Sequence, residues 1–237
     1  MKVASLLFLL VALITPVQAA DMELVFNRMN NFSSDEWAFT VVTQGEDDLI
    51  EQFDPRADPQ WSLFTINEKT PTDKELKRYN KEKAKEKEEE EAEAEADAEA
   101  EAKAVDGAQA DTGRLDLHDM VEMSSLAKVE ETDEVEIYSF DLILDEEEKI
   151  AKSLAGKLWV NKADNYIERL DFFNVEPFSP AVSVTVKKLH TSMYFQKLGD
   201  NVFGPKKLVS EVKGKAFVFK SFDEREQQEF KNYVSVK

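Results

Sequence analysis

The sequence contains no cysteine, only two histidines and only seven glycines in 237 residues. The absence of cysteine excludes disulfides, thiolate zinc sites, a cysteine nucleophile and a lipid anchor attached through cysteine. The scarcity of histidine and glycine argues against histidine-based metal sites and glycine-rich phosphate loops. The net charge of −19 argues against nucleic acid as a partner, because binding to its phosphates requires a basic surface. We therefore expect no metal and no cofactor.

Only one long apolar run occurs, and it lies at the N-terminus. Lys2 precedes apolar residues 3–14, and the small-residue pattern Val17-Gln18-Ala19 follows. A positive start, a short apolar centre and an A-x-A-like end indicate a secretory signal peptide at residues 1–19. A membrane anchor is the alternative, but the run is shorter than the ~20 residues of a spanning helix. We expect a periplasmic mature chain with no transmembrane segment.

Acidic residues are concentrated in a low-complexity stretch at residues 83–104, within an insertion at about 80–112. The stretch has no aromatic or branched aliphatic residue, so it cannot bury itself in a core. Glutamate and alanine favour a helix, but like charges four residues apart repel each other. We expect a solvated helix or a disordered tether that acts as a spacer, with weak cation binding as the alternative.

A capping box precedes this stretch. Thr72 is the predicted N-cap of a helix, and Glu75 stands three residues later. Leu76 and Tyr79 share one face of the first turns, and no apolar residue except alanine continues that face. The pattern predicts a helix that is docked at its start and extends into solvent.

The remaining sequence predicts a sheet. Short β-rich segments separated by turns indicate an antiparallel meander, which tends to curl or close when its strands are long. The apolar phase changes between Val186 and Leu189, which predicts a β-bulge near Lys187–Lys188. The predicted strands are residues 36–43, 61–66, 134–144, 156–161, 166–173, 182–198, 202–203, 207–213, 215–222 and 230–236, with a turn or bulge at Gly214.

Two segments have other predicted structures. Residues 113–131 favour a short amphipathic helix or a flap over the sheet, and residues 145–154 are the one helix candidate in the second half.

The sequence contains no catalytic motif of the common hydrolase, metalloprotease or nucleotide-binding types. His190 with Ser192 or Ser183 is the one nucleophile arrangement available, and these neighbours supply no oxyanion hole. We therefore predict no enzyme and no catalytic residue. The lysine doublets 187–188 and 206–207 could meet anionic headgroups or an acidic partner, or could keep a sheet edge soluble.

The order of hairpin, loop, very long strand and closing strands resembles the LolA/LolB-like superfamily of periplasmic lipoprotein- and lipid-binding proteins. The resemblance rests on the signal peptide and on GKLWVNKADNYIERLDFF, PFSPAVSVTVKKLHTSMYF and VKGKAFVFKSFDEREQQEF. It covers residues 134–237 and, loosely, residues 23–66. It implies a half-open barrel with helices partly plugging an apolar concave face that holds acyl chains. The acidic insertion departs from that pattern, and residues 72–80 and 115–126 are the candidate plugs.

Strand 134–144 has large apolar side chains on both faces, so something apolar must cover its inner face. A helix, a lipid tail or a partner could do so, and each buried CH₂ contributes about 0.8 kcal/mol. An ordinary closed core is the alternative explanation. The predicted lining of the hydrophobic ligand cavity is Phe140, Leu142, Phe172, Met193, Phe195, Phe217 and Phe219.

The sequence thus predicts a single, mainly β domain over residues 20–237 that forms a curved, half-open antiparallel barrel. Its predicted function is a lipid- or lipoprotein-binding carrier, or an accessory protein of outer-membrane biogenesis, whose partner is an acyl chain or a lipidated protein. The alternative is an envelope protein-interaction module with a closed core and no lipid ligand.

Overall fold

A computed structural model describes residues 21–104, 117–143, 150, 152–181, 183–217 and 220–237. The predicted signal peptide lies outside these described residues. The end of the acidic insertion and most of the helix predicted at 145–154 also lie outside them.

Antiparallel strands form the body of the molecule. The strands are β1 (Trp37–Gln44), β2 (Leu49–Phe53), β3 (Trp61–Ile66), β4 (Ala127–Glu131), β5 (Val135–Phe140), β6 (Leu154–Asn161), β7 (Tyr166–Asn174), β8 (Phe178–Ala181), β9 (Val184–Gly199), β10 (Val202–Ala216) and β11 (Lys220–Ser235). They make one 11-stranded sheet in the order β3-β2-β1-β11-β10-β9-β7-β6-β5-β4, with β8 paired to β9. In the described part of the chain β3 and β4 are the sheet's two edges, so the curved sheet stays open. The predicted mainly β, half-open fold is confirmed.

Two local predictions in the second half are confirmed. Strands β6 and β7 form the predicted hairpin, with Asn161 opposite Tyr166 at its closed end. The predicted bulge lies in β9, because Lys188 pairs with Lys213 while Val186 pairs with the next residue of β10. Lys187 is the extra residue, and it accounts for the change of apolar phase along this strand.

The C-terminal region differs from the prediction, because it forms two long strands instead of four short ones. Gly214 lies buried within β10, opposite Phe222 of β11 and at the register shift between β9 and β10, so of the two predicted alternatives the structure has the bulge and not the turn. A β-carbon at Gly214 would overlap the Phe222 ring and the backbone oxygen of Thr185. The glycine therefore allows close packing inside the sheet. The chain turns instead at Phe217, whose φ is 55°.

In the described residues three α-helices accompany the sheet: α1 (Met22–Met29), α2 (Asp73–Ala104) and α3 (Leu117–Met120). The capping box is confirmed, since the Thr72 amide donates to Glu75 Oε2 at 2.7 Å and the Glu75 amide donates to Thr72 Oγ1 at 3.4 Å. The acidic stretch is helical to its end at Ala104. Helix α1 was not predicted. Among the described helices, none combines the length and apolar character required to cross a membrane.

Strand β5 is shorter than predicted. The predicted strand ran to residue 144, but β5 ends at Phe140. The amide of Asp141 donates to Ser125 Oγ at 2.8 Å, and Leu142 makes an isolated bridge with Val121. Residues 117–126 therefore pair with the segment that follows Phe140. This pairing ends β5, and the segment does not continue as a strand of the sheet.

The register places the core on one face of the sheet, which we call the inner face. Residues that pair directly in antiparallel strands point to the same side. Tyr138, Leu158, Leu170, Met193 and Leu208 pair in sequence from β5 to β10 and so share this face. We call the other side of the sheet the outer face.

Candidate functional site

The main core, which we call the plug cluster, joins the inner face to helices that lie over it. Its buried strand residues are Tyr138, Phe140, Leu158, Val160, Ile167, Leu170, Phe172, Phe195 and Phe203. Its buried residues from outside the named strands are Val25, Phe26, Met29, Leu117 and Val121. The inner face is therefore apolar, and its cover comes from segments that are not strands of the sheet.

Helix α1 forms because its sequence is capped and amphipathic. Asp21 is the N-cap and accepts a hydrogen bond from the Leu24 amide at 3.2 Å. Val25, Phe26 and Met29 lie on one face at helical spacing and are buried, whereas Leu24 is 44% exposed. Three apolar side chains thus fix α1 against the sheet.

Polar contacts hold the C-terminal end of α1 to two turns of the sheet. Arg28 Nη1 donates to the backbone oxygen of Asp164, in the turn between β6 and β7. Asp164 in turn pairs with Lys197 of β9, with Nζ and Oδ1 2.7 Å apart. Just past the helix, Asn31 Nδ2 donates to the Asn201 backbone oxygen at 3.1 Å. These few contacts orient α1 without embedding it in the sheet's backbone hydrogen bonds.

Residues 117–126 provide the second cover. Leu117 and Val121 are buried, and Met120, Met123 and Leu126 pack against the plug cluster. Of the two candidate plugs, residues 117–126 pack over the inner face, whereas residues 72–80 dock on β2 and β3. Helix α1, which was not a candidate, covers the inner face together with residues 117–126.

The predicted cavity-lining residues separate into two groups. Phe140, Phe172 and Phe195 are buried in the plug cluster, and Leu142 and Met193 pack against it. The rings of Phe140 and Phe172 meet edge to face with centroids 6.1 Å apart. These five predicted residues therefore lie together, in or against the plug cluster.

The other two predicted lining residues do not join the plug cluster. Phe217 is 72% exposed at the turn between β10 and β11, because a residue with positive φ in a turn does not continue the strand alternation. Phe219 lies outside the described residues.

Two cavities lie away from the plug cluster and are lined mainly by polar residues. One of about 440 Å³ lies near the end of β9 and is lined by Asn31, Ser33, Glu36, Asp200, Asn201, Val202 and Lys237. The other, of about 300 Å³, lies on the outer face. The five clustered residues predicted as lining are therefore packed against α1 and residues 117–126, and neither cavity includes them.

The outer-face histidine lacks the geometry of a catalytic triad. His190 Nε2 is 3.1 Å from Asp171 Oδ2 and 3.4 Å from Ser192 Oγ. A triad needs the carboxylate and the nucleophile on different ring nitrogens, so that one orients the ring while the other takes the proton. Here one nitrogen faces both groups, which leaves no relay between them.

A second, aromatic cluster occupies the other end of the inner face. It centres on Phe39, Val41 and Phe53, with Trp37, Trp61, Phe230 and Tyr233 packed around them. Helix α2 docks beside it, where the Tyr79 hydroxyl donates to Glu51 Oε1 at 2.8 Å. Burial and this hydrogen bond raise the pKa of Tyr79 far above its usual range. Lys83 lies 4.9 Å above the Trp61 ring.

Replacing Tyr79 with phenylalanine should lower the free energy of unfolding by about 1–3 kcal/mol, because Glu51 is buried and loses its hydroxyl donor. Chemical denaturation of Tyr79→Phe measures the loss. In the Glu51→Leu/Tyr79→Phe double variant both hydrogen-bonding partners are gone and Lys83, 3.9 Å from Glu51 Oε1, keeps its closer ion pair with Glu86 at 2.8 Å, so most of the stability should return. Equal losses in the single and double variants would contradict this account of the anchor.

Deleting residues 88–104 should leave the melting temperature nearly unchanged. The docked part of α2 lies at Tyr79 and Lys83, and the deleted part is rich in acidic residues. Thermal unfolding tests this expectation. It is followed by circular dichroism at about 222 nm, the minimum of the helix signal, where a loss of helix lowers the amplitude. A large fall in the midpoint would show that the distal helix packs on the body.

The described residues contain no group of three or more histidines, aspartates or glutamates placed to hold a metal ion. No family model matches the chain, and neither a curated protein nor a solved structure matches it.

Proposed function

We propose that the chain is a carrier, or an accessory protein of envelope biogenesis, that holds an acyl chain against the inner face of its sheet. The acyl chain would be free or attached to a lipidated protein, and the binding involves no catalysis. The observation that carries the proposal is that α1 and residues 117–126, and not strands of the sheet, cover the apolar inner face. A ligand enters by displacing α1.

The proposed exchange is energetically reasonable. Val25, Phe26 and Met29 are the buried side chains of α1, and each contributes about 2 kcal/mol by leaving water. An acyl chain with about a dozen buried methylenes contributes about 10 kcal/mol by the same measure. An acyl chain can therefore replace the contacts of α1, while in its absence α1 keeps the inner face away from water.

Two further features support the proposed compartment and ligand class. The predicted signal peptide would deliver the chain to the periplasm, where acyl chains must cross water between two membranes. The resemblance to lipoprotein carriers implies the same ligand class. Non-catalytic binding is supported by the outer face, because the contacts of His190 do not form a proton relay.

Native mass spectrometry tests the proposal directly. The protein is purified from its host's envelope fraction without detergent, so that resident ligands are retained. The expected result is a population carrying an acyl species of defined mass, which is lost after delipidation and regained when fatty acid is added. A chain that stays free of ligand under both conditions would contradict the proposal.

The second candidate is an envelope interaction module with a closed core. The packing of the plug cluster favours it, because Val25 and Phe26 are fully buried and the two cavities lie elsewhere. In that case delipidation would not change the melting temperature, and added fatty acid would not bind. The two candidates therefore give opposite results in the same experiment.

A further inference from the structure

A cleft of about 300 Å³ lies on the outer face, on the opposite side of the sheet from the plug cluster. Pairing across β7, β9, β10 and β11 brings its residues together, because they come from four strands of the sheet. The cleft is lined by Arg169, His190, Ser192, Tyr194, Lys207, Val209, Glu211 and Arg225. Three of these side chains are lysine or arginine and one is a glutamate, in a protein whose net charge is −19.

Arg169 is held rigidly at one wall of this cleft. Its Nε and Nη2 donate to the two carboxylate oxygens of Asp171, each at 2.6 Å. Its guanidinium also stacks on Trp159 and Tyr194, at 4.4 and 5.2 Å from the ring centroids. Within the described residues Nη1 donates no hydrogen bond. The guanidinium is therefore pre-oriented and keeps donors available for an anion.

The two carboxylates nearest the cleft are already neutralised. Asp171 is 5% exposed and is engaged by Arg169. Glu211 contacts Lys188 Nζ at 2.5 Å and Lys213 Nζ at 3.1 Å. These lysines hold the pKa of Glu211 at about 2, so it stays ionised and paired at neutral pH. Neither carboxylate is left to compensate the other cations of the cleft.

Those other cations, Lys207 and Arg225, have no carboxylate partner within 4.0 Å in the part of the chain that the structure describes. Lys207 pairs in the sheet with Glu229, but Glu229 forms its ion pair with Lys231 at 2.5 Å. Arg225 pairs in the sheet with Glu211, whose partners are the two lysines named above. The pKa of Glu229 is lowered by its hydrogen bond to Lys231 and, to a smaller extent, by the charge of Lys207. The cleft thus combines the fixed guanidinium of Arg169 with two cations that form no ion pair of their own in the described residues.

We infer that this outer-face cleft binds a phosphate group, as inorganic phosphate, as a soluble phosphate monoester or as the headgroup of an anionic phospholipid. A phosphate offers several oxygens to donors that converge from different directions, and arginine matches its geometry. The cleft supplies three cations and, at its floor, the Ser192 hydroxyl, which is 6% exposed. Its volume leaves room for a small group attached to the phosphate.

This site is independent of acyl binding, because it uses the other face of the sheet and none of the plug cluster. Loss of phosphate binding would leave the proposed carrier function standing. Loss of acyl binding would equally leave the cleft intact, so the two ideas fail separately.

The test is a titration of the ¹⁵N-labelled full chain with inorganic phosphate, at constant ionic strength set with chloride. Saturable shifts are expected in the backbone amides of Ser192, Tyr194 and Val209. The Lys207→Gln/Arg225→Gln variant should bind phosphate about tenfold or more weakly, because two charge-assisted contacts are lost. The Lys206→Gln/Lys215→Gln variant removes the same charge from two exposed positions of β10 outside the cleft lining, neither of which forms an ion pair in the described residues, and should bind like the wild type.

Absence of saturation at millimolar phosphate would overturn the inference. Equal weakening in both double variants would also overturn it, since it would show only a general effect of charge. The melting temperature of each variant, measured in chloride, confirms that the comparison is made between folded proteins.

Two further arms identify the source of the phosphate. Glycerol 3-phosphate represents soluble esters, and vesicles of phosphatidylglycerol in phosphatidylcholine represent headgroups. The cleft would be assigned to a lipid surface if the protein cosediments with phosphatidylglycerol vesicles and two conditions hold. The Lys207→Gln/Arg225→Gln variant must cosediment more weakly, and glycerol 3-phosphate must compete with the vesicles. Binding of glycerol 3-phosphate with no variant-sensitive cosedimentation would assign it to soluble esters. Both results support the shared chemistry, whereas failure of all three ligands contradicts it.

Discussion

Replacement of Phe26 by alanine is expected to destabilise the protein and, at the same time, to strengthen acyl binding. Phe26 is fully buried in the plug cluster, so its removal should lower the free energy of unfolding by about 3–5 kcal/mol. If α1 and the acyl chain compete for the inner face, a helix that packs less well should also be displaced more easily. The affinity for a dansyl-labelled undecanoic acid should then rise by about tenfold.

Fluorescence titration with this probe and urea denaturation measure the two effects on the same samples. Leu24→Ala is the matched control, because it removes an aliphatic side chain from the same helix at a position that is 44% exposed. Leu24→Ala should change neither the free energy of unfolding nor the free energy of probe binding by more than about 0.5 kcal/mol. A Phe26→Ala protein that loses stability but gains no affinity would show that α1 does not compete with the ligand.

The second large effect separates two phenylalanines that sequence alternation treated alike. Phe172 is 8% exposed and packs against Phe140, whereas Phe217 is 72% exposed at a turn. Phe172→Ala should lower the free energy of unfolding by about 3–5 kcal/mol, through lost burial and the cavity left behind. Phe217→Ala should change it by less than about 0.5 kcal/mol.

Urea denaturation of both single variants tests this expectation with identical chemistry at the two sites. Similar losses at both positions would mean that Phe217 is buried in solution and that the β10–β11 turn differs from the one described. No loss at Phe172 would mean that the plug cluster is not the core that stabilises the fold.

Features set by neighbouring residues could be predicted from the sequence. The capping box at Thr72 depends on contacts three residues apart, and the bulge at Lys187 follows from a change of phase within one strand. The hairpin between β6 and β7 is likewise local. Strand alternation also identified five of the residues that lie in or against the plug cluster.

Features set by distant residues could not be predicted in this way. The sequence leaves a turn or a bulge open at Gly214, and the choice depends on the pairing with β9 and on Phe222 and Thr185 packing against it from neighbouring strands. Phe217 follows β10 in sequence, and only the positive φ of the turn removes it from the sheet's alternation. The outer-face cleft needs the register of four strands before Arg169, Lys207 and Arg225 come together.

Helix α1 is a different case, because its signal was present and was missed. Asp21 is a favourable N-cap, and Val25, Phe26 and Met29 follow at the spacing of a helix face. The segment directly follows the predicted signal peptide and is only eight residues long. Its helical structure depends on packing against the sheet more than on its own propensity, because isolated helices of this length are marginal in water.

The central claim is that acyl chains bind where α1 covers the inner face. The native chain has no cysteine, so Arg28→Cys/Asp164→Cys introduces the only thiols, at the contact that holds α1 to the β6–β7 turn. A short bis-methanethiosulfonate can join them and is removed by a reducing agent. Titration with dansyl-labelled undecanoic acid should show no binding while the bridge is closed, and binding after reduction. Equal binding before and after reduction would contradict the account, because the acyl chain would then not need α1 to move.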